Sequence, residues 1–276
     1  VSHMKALGPD NWGLSVAATT RLDEARRRGV EVYADQYPYE ASSTGLSAAL
    51  LPRWAQVGGP DQLRRRLADS ETRIRVVKEM RDNLRRRGGA EAIAVSFYQA
   101  DPQLEGKTLS EIAEERGQPA VETALDLIAR GRVSIISFNM SERDIAHIMQ
   151  QPYTMTSSDG GLVPMGAGRP HPRNYGAFAR KLARYVRERE VVSLEFAVRS
   201  MTSLPAAVFG LQDRGVLRIG AWADIVIFDP AVIQDRATYT DPHQLAEGID
   251  AVVVNGIVVR QDGRFVDTRP GQVLRK

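Results

Sequence analysis

Strand-like and helix-like hydrophobic patterns alternate along most of the chain, which predicts an α/β architecture with a parallel sheet. A helical pattern fills residues 15–28, and Gly29 follows it as a stop signal. Residues 30–37, VEVYADQY, then predict a strand. Pro38 ends that strand, because proline has no N–H group to give to a ladder.

The pattern over about 40–107 is less regular. Helical stretches near 60–70 and 72–87 frame short apolar pieces, and the segment 92–98 predicts a strand. Pairs of glycines interrupt the segment twice. These features predict a lid-like insertion in place of a regular strand–helix unit.

Regular elements return after this segment. Thr108 and Glu111 have the spacing of a capping box, in which each side chain satisfies an exposed N–H group of the other residue. Helices are predicted after the capping box, at about 119–130, from Ser141, and at 175–189 and 193–201, and strands at 133–138 and just before 157–161.

The pattern changes again from residue 216, where β-rich sequence predominates. Asn255-Gly256 is a strong hairpin signal between two apolar runs. We therefore predict a small β-sandwich portion at 206–276, after a barrel portion at 1–205 that carries the insertion.

Composition narrows the possible functions. The chain has 276 residues, a net charge of +3 and no cysteine, so any metal site must use His, Asp or Glu. Its arginine-rich runs lie in or at the ends of helical patterns and indicate solvated helix faces, not a nucleic-acid partner. We find neither a signal peptide nor the roughly 18 apolar residues that span a membrane. We therefore expect a cytoplasmic protein without a membrane partner.

Two stretches offer groups for binding. Along a strand, His3 and Lys5 would share one face, where an imidazole can bind zinc and an ammonium can hold a carboxylate. The alternative is a frayed terminus or a cloning remnant. Tyr37 and Ser43 offer hydroxyl groups at a strand's carboxyl end, where α/β barrels place their sites. The alternative is an ordinary polar turn.

Two further stretches offer groups for chemistry. Asp159 follows a short apolar strand and precedes two glycines, which suits a metal ligand, a proton carrier or a helix cap. Two prolines stiffen RPHPRNYG and fix His171 and Arg173, so that Arg173 can bind a carboxylate or contact the backbone. His147 is expected at a surface or interface, and His243 lies far along the chain from these residues.

Taken together, these stretches resemble the D-aminoacylase (N-acyl-D-amino-acid deacylase) family of the amidohydrolase superfamily. The similarity runs from the first residue to the end, with its pieces in the family's order. Those pieces are SHMKALG, ADQYPYEASSTGLS, SDGG followed by RPHPRNYGAFARKL, SMTSLPAAVFGLQDRGVLRIGAWADIVIFDP, and VVVNG.

The resemblance implies the C-terminal part of a metal-dependent-hydrolase (β/α)8 TIM barrel, joined to a small β-sandwich. It implies zinc-dependent hydrolysis of the amide bond of N-acyl-D-amino acids. His3 matches a zinc-binding histidine. Asp159 matches the aspartate that acts as general base and then general acid, and that is a candidate ligand of a second metal. The residues that match the groups holding the substrate's α-carboxylate are Lys5, Tyr37, Ser43 and Arg173.

Part of the family pattern is absent, namely the early His-x-His pair, the bridging cysteine and another zinc histidine. A zinc site needs at least three protein ligands, and this sequence offers His3 and Asp159. We therefore expect a chain that is active only together with its N-terminal half, from the same gene or a partner chain. The alternatives are an amidohydrolase for cyclic amides, like dihydroorotase or hydantoinase, and a structural or assembly partner without activity.

Overall fold

The computed structural model describes residues 1–275, and this part of the chain contains nine strands and eleven α-helices. The strands are β1 (Ala34–Gln36), β2 (Ala41–Gly45), β3 (Ile93–Phe97), β4 (Ser134–Phe138), β5 (Thr154–Thr156), β6 (Ile225–Phe228), β7 (Ile249–Val254), β8 (Ile257–Gln261) and β9 (Arg264–Phe265). The helices are α1 (Ser15–Arg27), α2 (Leu46–Leu50), α3 (Arg53–Gln56), α4 (Gly59–Ala68), α5 (Ser70–Arg86), α6 (Leu109–Arg116), α7 (Ala120–Arg130), α8 (Glu142–Met149), α9 (Arg173–Arg180), α10 (Leu194–Met201) and α11 (Ser203–Phe209). None of these helices combines the length and the apolar character needed to cross a membrane.

The parallel sheet consists of β1 and β5. Asp35 pairs with Met155, and Gln36 pairs with Thr156. The strand predicted over 30–37 is therefore shorter than expected, because its partner offers only three residues. Since the two strands run in the same direction, their carboxyl ends meet at one edge, and the chain leaves both strands side by side there.

The long segment between these two strands forms a sheet of its own. Strand β4 is its middle strand and pairs antiparallel with β2 and β3. Helices α2 to α7 pack against this sheet around buried apolar side chains such as Leu50, Met80 and Ile135. The buried strand predicted at 133–138 thus belongs with the irregular segment, although we placed the end of the insertion at 107. The capping box of Thr108 and Glu111 is confirmed at the start of α6.

The C-terminal strands β6 to β9 form one antiparallel sheet in chain order. Asn255 and Gly256, with φ of 49° and 81°, connect β7 to β8, as the hairpin signal predicted. A sandwich requires a second sheet, which residues 1–275 do not place against this one. Likewise, the parallel sheet within these residues has two strands, whereas a closed (β/α)8 barrel has eight.

Lys181 lies directly after α9, where the helix continues through residue 188 with a wider π-helical turn. Its side chain is buried between this turn, α10 and β5. The ammonium group donates to the hydroxyls of Thr156 at 2.8 Å and Ser200 at 2.7 Å. Burial lowers the pKa of Lys181 from 10.5 to about 7. The lysine thus lies in the helix–strand interface without a carboxylate close to it among residues 1–275.

We expect Lys181→Met to change how stability depends on pH. Between about pH 7 and 10.5 the folded chain binds fewer protons at Lys181 than the unfolded chain does. Lys181 therefore makes the free energy of unfolding rise with pH across this window, by up to about 1.4 kcal/mol per pH unit. Urea denaturation from pH 6 to 10 should show this rise in the wild type and a flatter profile in the variant. Parallel profiles would contradict the buried, uncompensated charge.

Candidate functional site

The ring of Tyr37 is at the centre of a cluster of charged side chains beyond the ends of β1 and β5. The guanidinium carbon of Arg173 lies 4.6 Å from the ring centroid, and the ammonium nitrogen of Lys5 lies 5.3 Å from it. Asp159 faces Arg173, with 3.0 Å between Oδ2 and Nη1. The structure thus brings four of the six predicted site residues together around one aromatic ring.

Local geometry explains why these residues meet. The backbone N–H of Met4 donates to the carbonyl of Asp35 at 2.8 Å, so the segment carrying Lys5 runs beside β1. Tyr37 directly follows β1, and Asp159 lies three residues after β5 ends. Arg173 is the first residue of α9. Neighbouring chain segments therefore deliver all four side chains to the same edge of the parallel sheet.

Arg173 and Tyr37 carry buried polar groups that lack well-aligned hydrogen bonds among residues 1–275. Arg173 is 7% exposed, yet its Nε and Nη1 atoms form no well-aligned hydrogen bond, and the 3.0 Å contact to Asp159 is an ion pair only. Tyr37 is 2% exposed, and its hydroxyl, which lies near the Arg173 side chain, forms no well-aligned hydrogen bond within the described residues. Buried donors without acceptors are unfavourable, so these groups are suited to receive an anion.

The pKa values of Lys5 and Tyr37 favour the protonated, hydrogen-bond-donating form of both groups near neutral pH. Burial lowers the pKa of Lys5 to about 8, while the nearby Asp159 carboxylate favours its charged form. Burial raises the pKa of Tyr37 to about 12, so its hydroxyl keeps its proton. Lys5, Tyr37 and Arg173 can therefore all donate hydrogen bonds to a carboxylate.

His3 and Asp159 do not form a complete metal site. Nδ1 of His3 lies within hydrogen-bond distance of the Lys5 ammonium, at 2.7 Å. Asp159 is paired with Arg173. Among residues 1–275, three or more His, Asp or Glu side chains nowhere gather as metal ligands would. The donors in this chain thus do not satisfy zinc by themselves.

The backbones of His3 and Asp159 adopt left-handed conformations that non-glycine residues rarely use, with φ of 40° and 48°. Such conformations persist where surrounding contacts hold them, and they concentrate at functional sites. Asp35 contacts both segments, because its Oδ1 accepts from the backbone N–H of His3 at 3.0 Å and from the hydroxyl of Ser157, two residues before Asp159, at 2.7 Å.

For Ser43, the structure gives a place in the sheet but no contact with the cluster among residues 1–275. It lies on β2, opposite Ile136 of β4, and therefore belongs to the antiparallel sheet. Its hydroxyl forms no hydrogen bond within residues 1–275. The role of Ser43 in carboxylate binding therefore stays a prediction.

The sequence interpretation gave no role in the site to three residues that support it. Asp35 stands two positions before Tyr37, and strand alternation could have placed it on the same face. His171 bonds to the backbone N–H of Arg173. His243, expected to be remote, accepts from or donates to the Tyr175 hydroxyl at 2.9 Å and bonds the carbonyl of Gly168 at 3.0 Å. It thus supports the loop that carries Arg173.

Comparison with known proteins gives a consistent match. The chain matches the amidohydrolase family over residues 1–260. It is similar to N-acyl-D-glutamate deacylase of Alcaligenes xylosoxydans xylosoxydans, with 40% identity over 276 residues, and to D-aminoacylase of the same organism, with 35% identity over 276 residues. In both comparisons the match covers 100% of this chain and 48% of the relative.

Solved structures give the same result. A crystal structure of N-acyl-D-glutamate deacylase from Bordetella bronchiseptica, complexed with zinc and a phosphonate inhibitor that mimics the tetrahedral intermediate, has a TM-score of 0.79 and 38% identity. A D-aminoacylase crystal structure has a TM-score of 0.78 and 36% identity. Each covers 100% of this chain and 49% of the solved chain. The chain thus spans about half the length of these relatives.

Proposed function

Because the chain belongs to the amidohydrolase family, we propose that it supplies the carboxylate-binding and proton-transfer residues of an N-acyl-D-amino-acid deacylase. In this proposal the enzyme hydrolyses the linear amide bond of an N-acyl-D-amino acid. The similarity to N-acyl-D-glutamate deacylase and D-aminoacylase along the whole chain supports this substrate class.

One observation carries the proposal. Arg173 and Tyr37 hold buried polar atoms without well-aligned hydrogen bonds, Lys5 supplies a second cation against the same ring, and Asp159 forms an ion pair with Arg173. The three donors suit the α-carboxylate of the substrate, since charge-assisted hydrogen bonds to an arginine are the strong ones. Binding the carboxylate there would place the neighbouring amide group close to Asp159.

Asp159 then moves the proton. Hydrolysis forms a bond between the carbonyl carbon and a water oxygen and breaks the bond to nitrogen. The Asp159 carboxylate accepts a proton from the attacking water and passes it to the departing amine, so the carboxylate is regenerated. In this structure one Asp159 oxygen is paired with Arg173. When the substrate carboxylate binds to Arg173 instead, that oxygen becomes free to accept the proton.

The metal requires residues from elsewhere. Zinc is present in the similar N-acyl-D-glutamate deacylase structure, and zinc is the cofactor that we propose for the whole enzyme. His3 and Asp159 are the candidate ligands in this chain, but they are two where at least three are needed. We therefore propose that the remaining ligands come from polypeptide outside these 276 residues.

The same proposal extends to the architecture. The pair of β1 and β5 would be part of a (β/α)8 barrel, with the segment between them as a lid-like insertion. The sheet of β6 to β9 would be part of a small β-sandwich. Both assignments rest on the similarity to D-aminoacylase, together with the sheet edges that these strands leave for pairing.

Complementation tests this proposal. The chain is mixed with a polypeptide covering the part of N-acyl-D-glutamate deacylase that the chain does not match, and the mixture is called the complemented enzyme. With zinc, we expect hydrolysis of N-acetyl-D-amino acids by the complemented enzyme, and neither stoichiometric zinc binding nor hydrolysis by the chain alone. Hydrolysis of dihydroorotate in place of N-acetyl-D-amino acids would contradict the substrate class. Activity of the chain alone would contradict the incomplete metal site.

A further inference from the structure

His171 is buried between the elements that hold the candidate site. Its imidazole is 2% exposed and touches the edges of three tyrosine rings. The ring centroids lie 6.1 Å from Tyr37, 5.1 Å from Tyr39 and 5.3 Å from Tyr239. The aromatic contacts fix the ring's orientation, and the ring is packed directly against the tyrosine on which Arg173 stacks.

Both nitrogens of His171 bond to the backbone. The N–H of Arg173 donates to Nδ1 at 3.0 Å, so Nδ1 is an acceptor and the proton must be on Nε2. Nε2 then donates to the carbonyl of Ala41 at 2.9 Å. The imidazole is therefore neutral and has a single tautomer, and neither nitrogen remains free to bind a metal or to accept a further proton.

These two bonds join distant parts of the chain. Arg173 begins α9, and Ala41 begins β2, 130 residues before His171. One ring thus fixes the first turn of α9 relative to the strand that follows Tyr37. Its removal would free the backbone of Arg173 at the point where the guanidinium must stay over the ring of Tyr37.

We propose that His171 is a positioning residue for carboxylate binding, which holds Arg173 against Tyr37 through its Nδ1 atom. The inference rests on the proposed function, because it assigns to His171 the geometry of the carboxylate site. It predicts that the acceptor at Nδ1, and not merely the bulk of the ring, governs the affinity for a free carboxylate.

Two substitutions separate these contributions. His171→Phe keeps an aromatic ring but removes the acceptor, whereas His171→Asn is smaller and can place its amide oxygen near the position of Nδ1. In the complemented enzyme we expect His171→Phe to raise KM for N-acetyl-D-alanine by about tenfold, the effect of one lost hydrogen bond. KM for N-acetyl-D-alaninamide should change less than about twofold, and His171→Asn should recover most of the loss.

His147→Phe is the matched control, because His147 also bonds a partner at 2.9 Å, the Thr19 hydroxyl between α8 and α1. His147→Phe should have the same effect on KM for N-acetyl-D-alanine as on KM for N-acetyl-D-alaninamide. An equal effect of His171→Phe on acid and amide, or no recovery in His171→Asn, would overturn the inference. If Arg173→Met also changed KM for the acid and for the amide equally, the proposed function itself would fail.

A measurement on the wild-type chain is independent of how the variants fold. ¹⁵N NMR of the histidine side chains should show one neutral histidine protonated on Nε2 and bonded at Nδ1, unchanged between pH 7 and 5. Such behaviour agrees with burial, which lowers the pKa of His171 to about 3. A proton on Nδ1 of His171, or titration near pH 6.5, would overturn the inference.

Discussion

Asp159→Asn should lower kcat of the complemented enzyme by about a hundredfold to ten-thousandfold, the usual contribution of a positioned proton carrier. An asparagine amide has nearly the shape of the carboxylate but cannot accept a proton from water. KM for N-acetyl-D-alanine should change little, because in the proposed site the carboxylate of the substrate binds to Lys5, Tyr37 and Arg173. Steady-state kinetics measures both values.

Asp224→Asn is the control for this substitution. Asp224 also pairs with an arginine, Arg214, but in the C-terminal part of the chain. It should leave kcat and KM unchanged while removing a carboxylate–arginine pair of the same kind. Turnover of Asp159→Asn within about threefold of the wild type would refute the role of Asp159, since a proton carrier contributes at least about a hundredfold.

Arg173→Met should raise KM for N-acetyl-D-alanine by about ten to a hundredfold, the effect expected for hydrogen bonds to a charged group. Methionine keeps much of the apolar side chain over the ring of Tyr37 but loses the guanidinium. For N-acetyl-D-alaninamide, which lacks the carboxylate, KM should change by less than about threefold. Initial rates on the acid and the amide, measured in parallel, give the comparison.

Arg214→Met is a close match for this substitution. Arg214 has an acidic partner in Asp224 and stacks on Trp222, with 5.0 Å between its guanidinium carbon and the ring centroid. It therefore combines an ion pair and an aromatic stack, as Arg173 does. We expect Arg214→Met to have no selective effect on KM for N-acetyl-D-alanine. An equal rise in KM for acid and amide in Arg173→Met would show that Arg173 has a structural role only.

Much of the candidate site follows from the sequence because it lies where two strands end. The parallel pairing of β1 with β5 brought Tyr37 and Asp159 to the same edge. This relation depends on local pattern and chain direction. Both can be inferred without side-chain coordinates. The strand predicted through His3 and Lys5 was wrong, because His3 lies in a turn with φ of 40°, although the side chains of His3 and Lys5 still meet at 2.7 Å.

Other features depend on long-range pairing that local pattern does not reveal. The strand at 133–138 has the same apolar character as a barrel strand, but its hydrogen bonds go to β2 and β3. Ser43 shares its stretch with Tyr37, yet lies on that second sheet. His171 was recognised as rigidly held, but its link to Ala41 spans 130 residues and could not be predicted from spacing.

Whether Lys5, Tyr37 and Arg173 form a carboxylate site can be measured by calorimetry, which gives the binding affinity of acid and amide directly. The complemented enzyme, kept zinc-free to prevent turnover, is titrated with N-acetyl-D-alanine and with N-acetyl-D-alaninamide. We expect the acid to bind at least about tenfold more tightly than the amide, and Arg173→Met to remove this difference. Equal affinities for acid and amide in the wild type would contradict the carboxylate site.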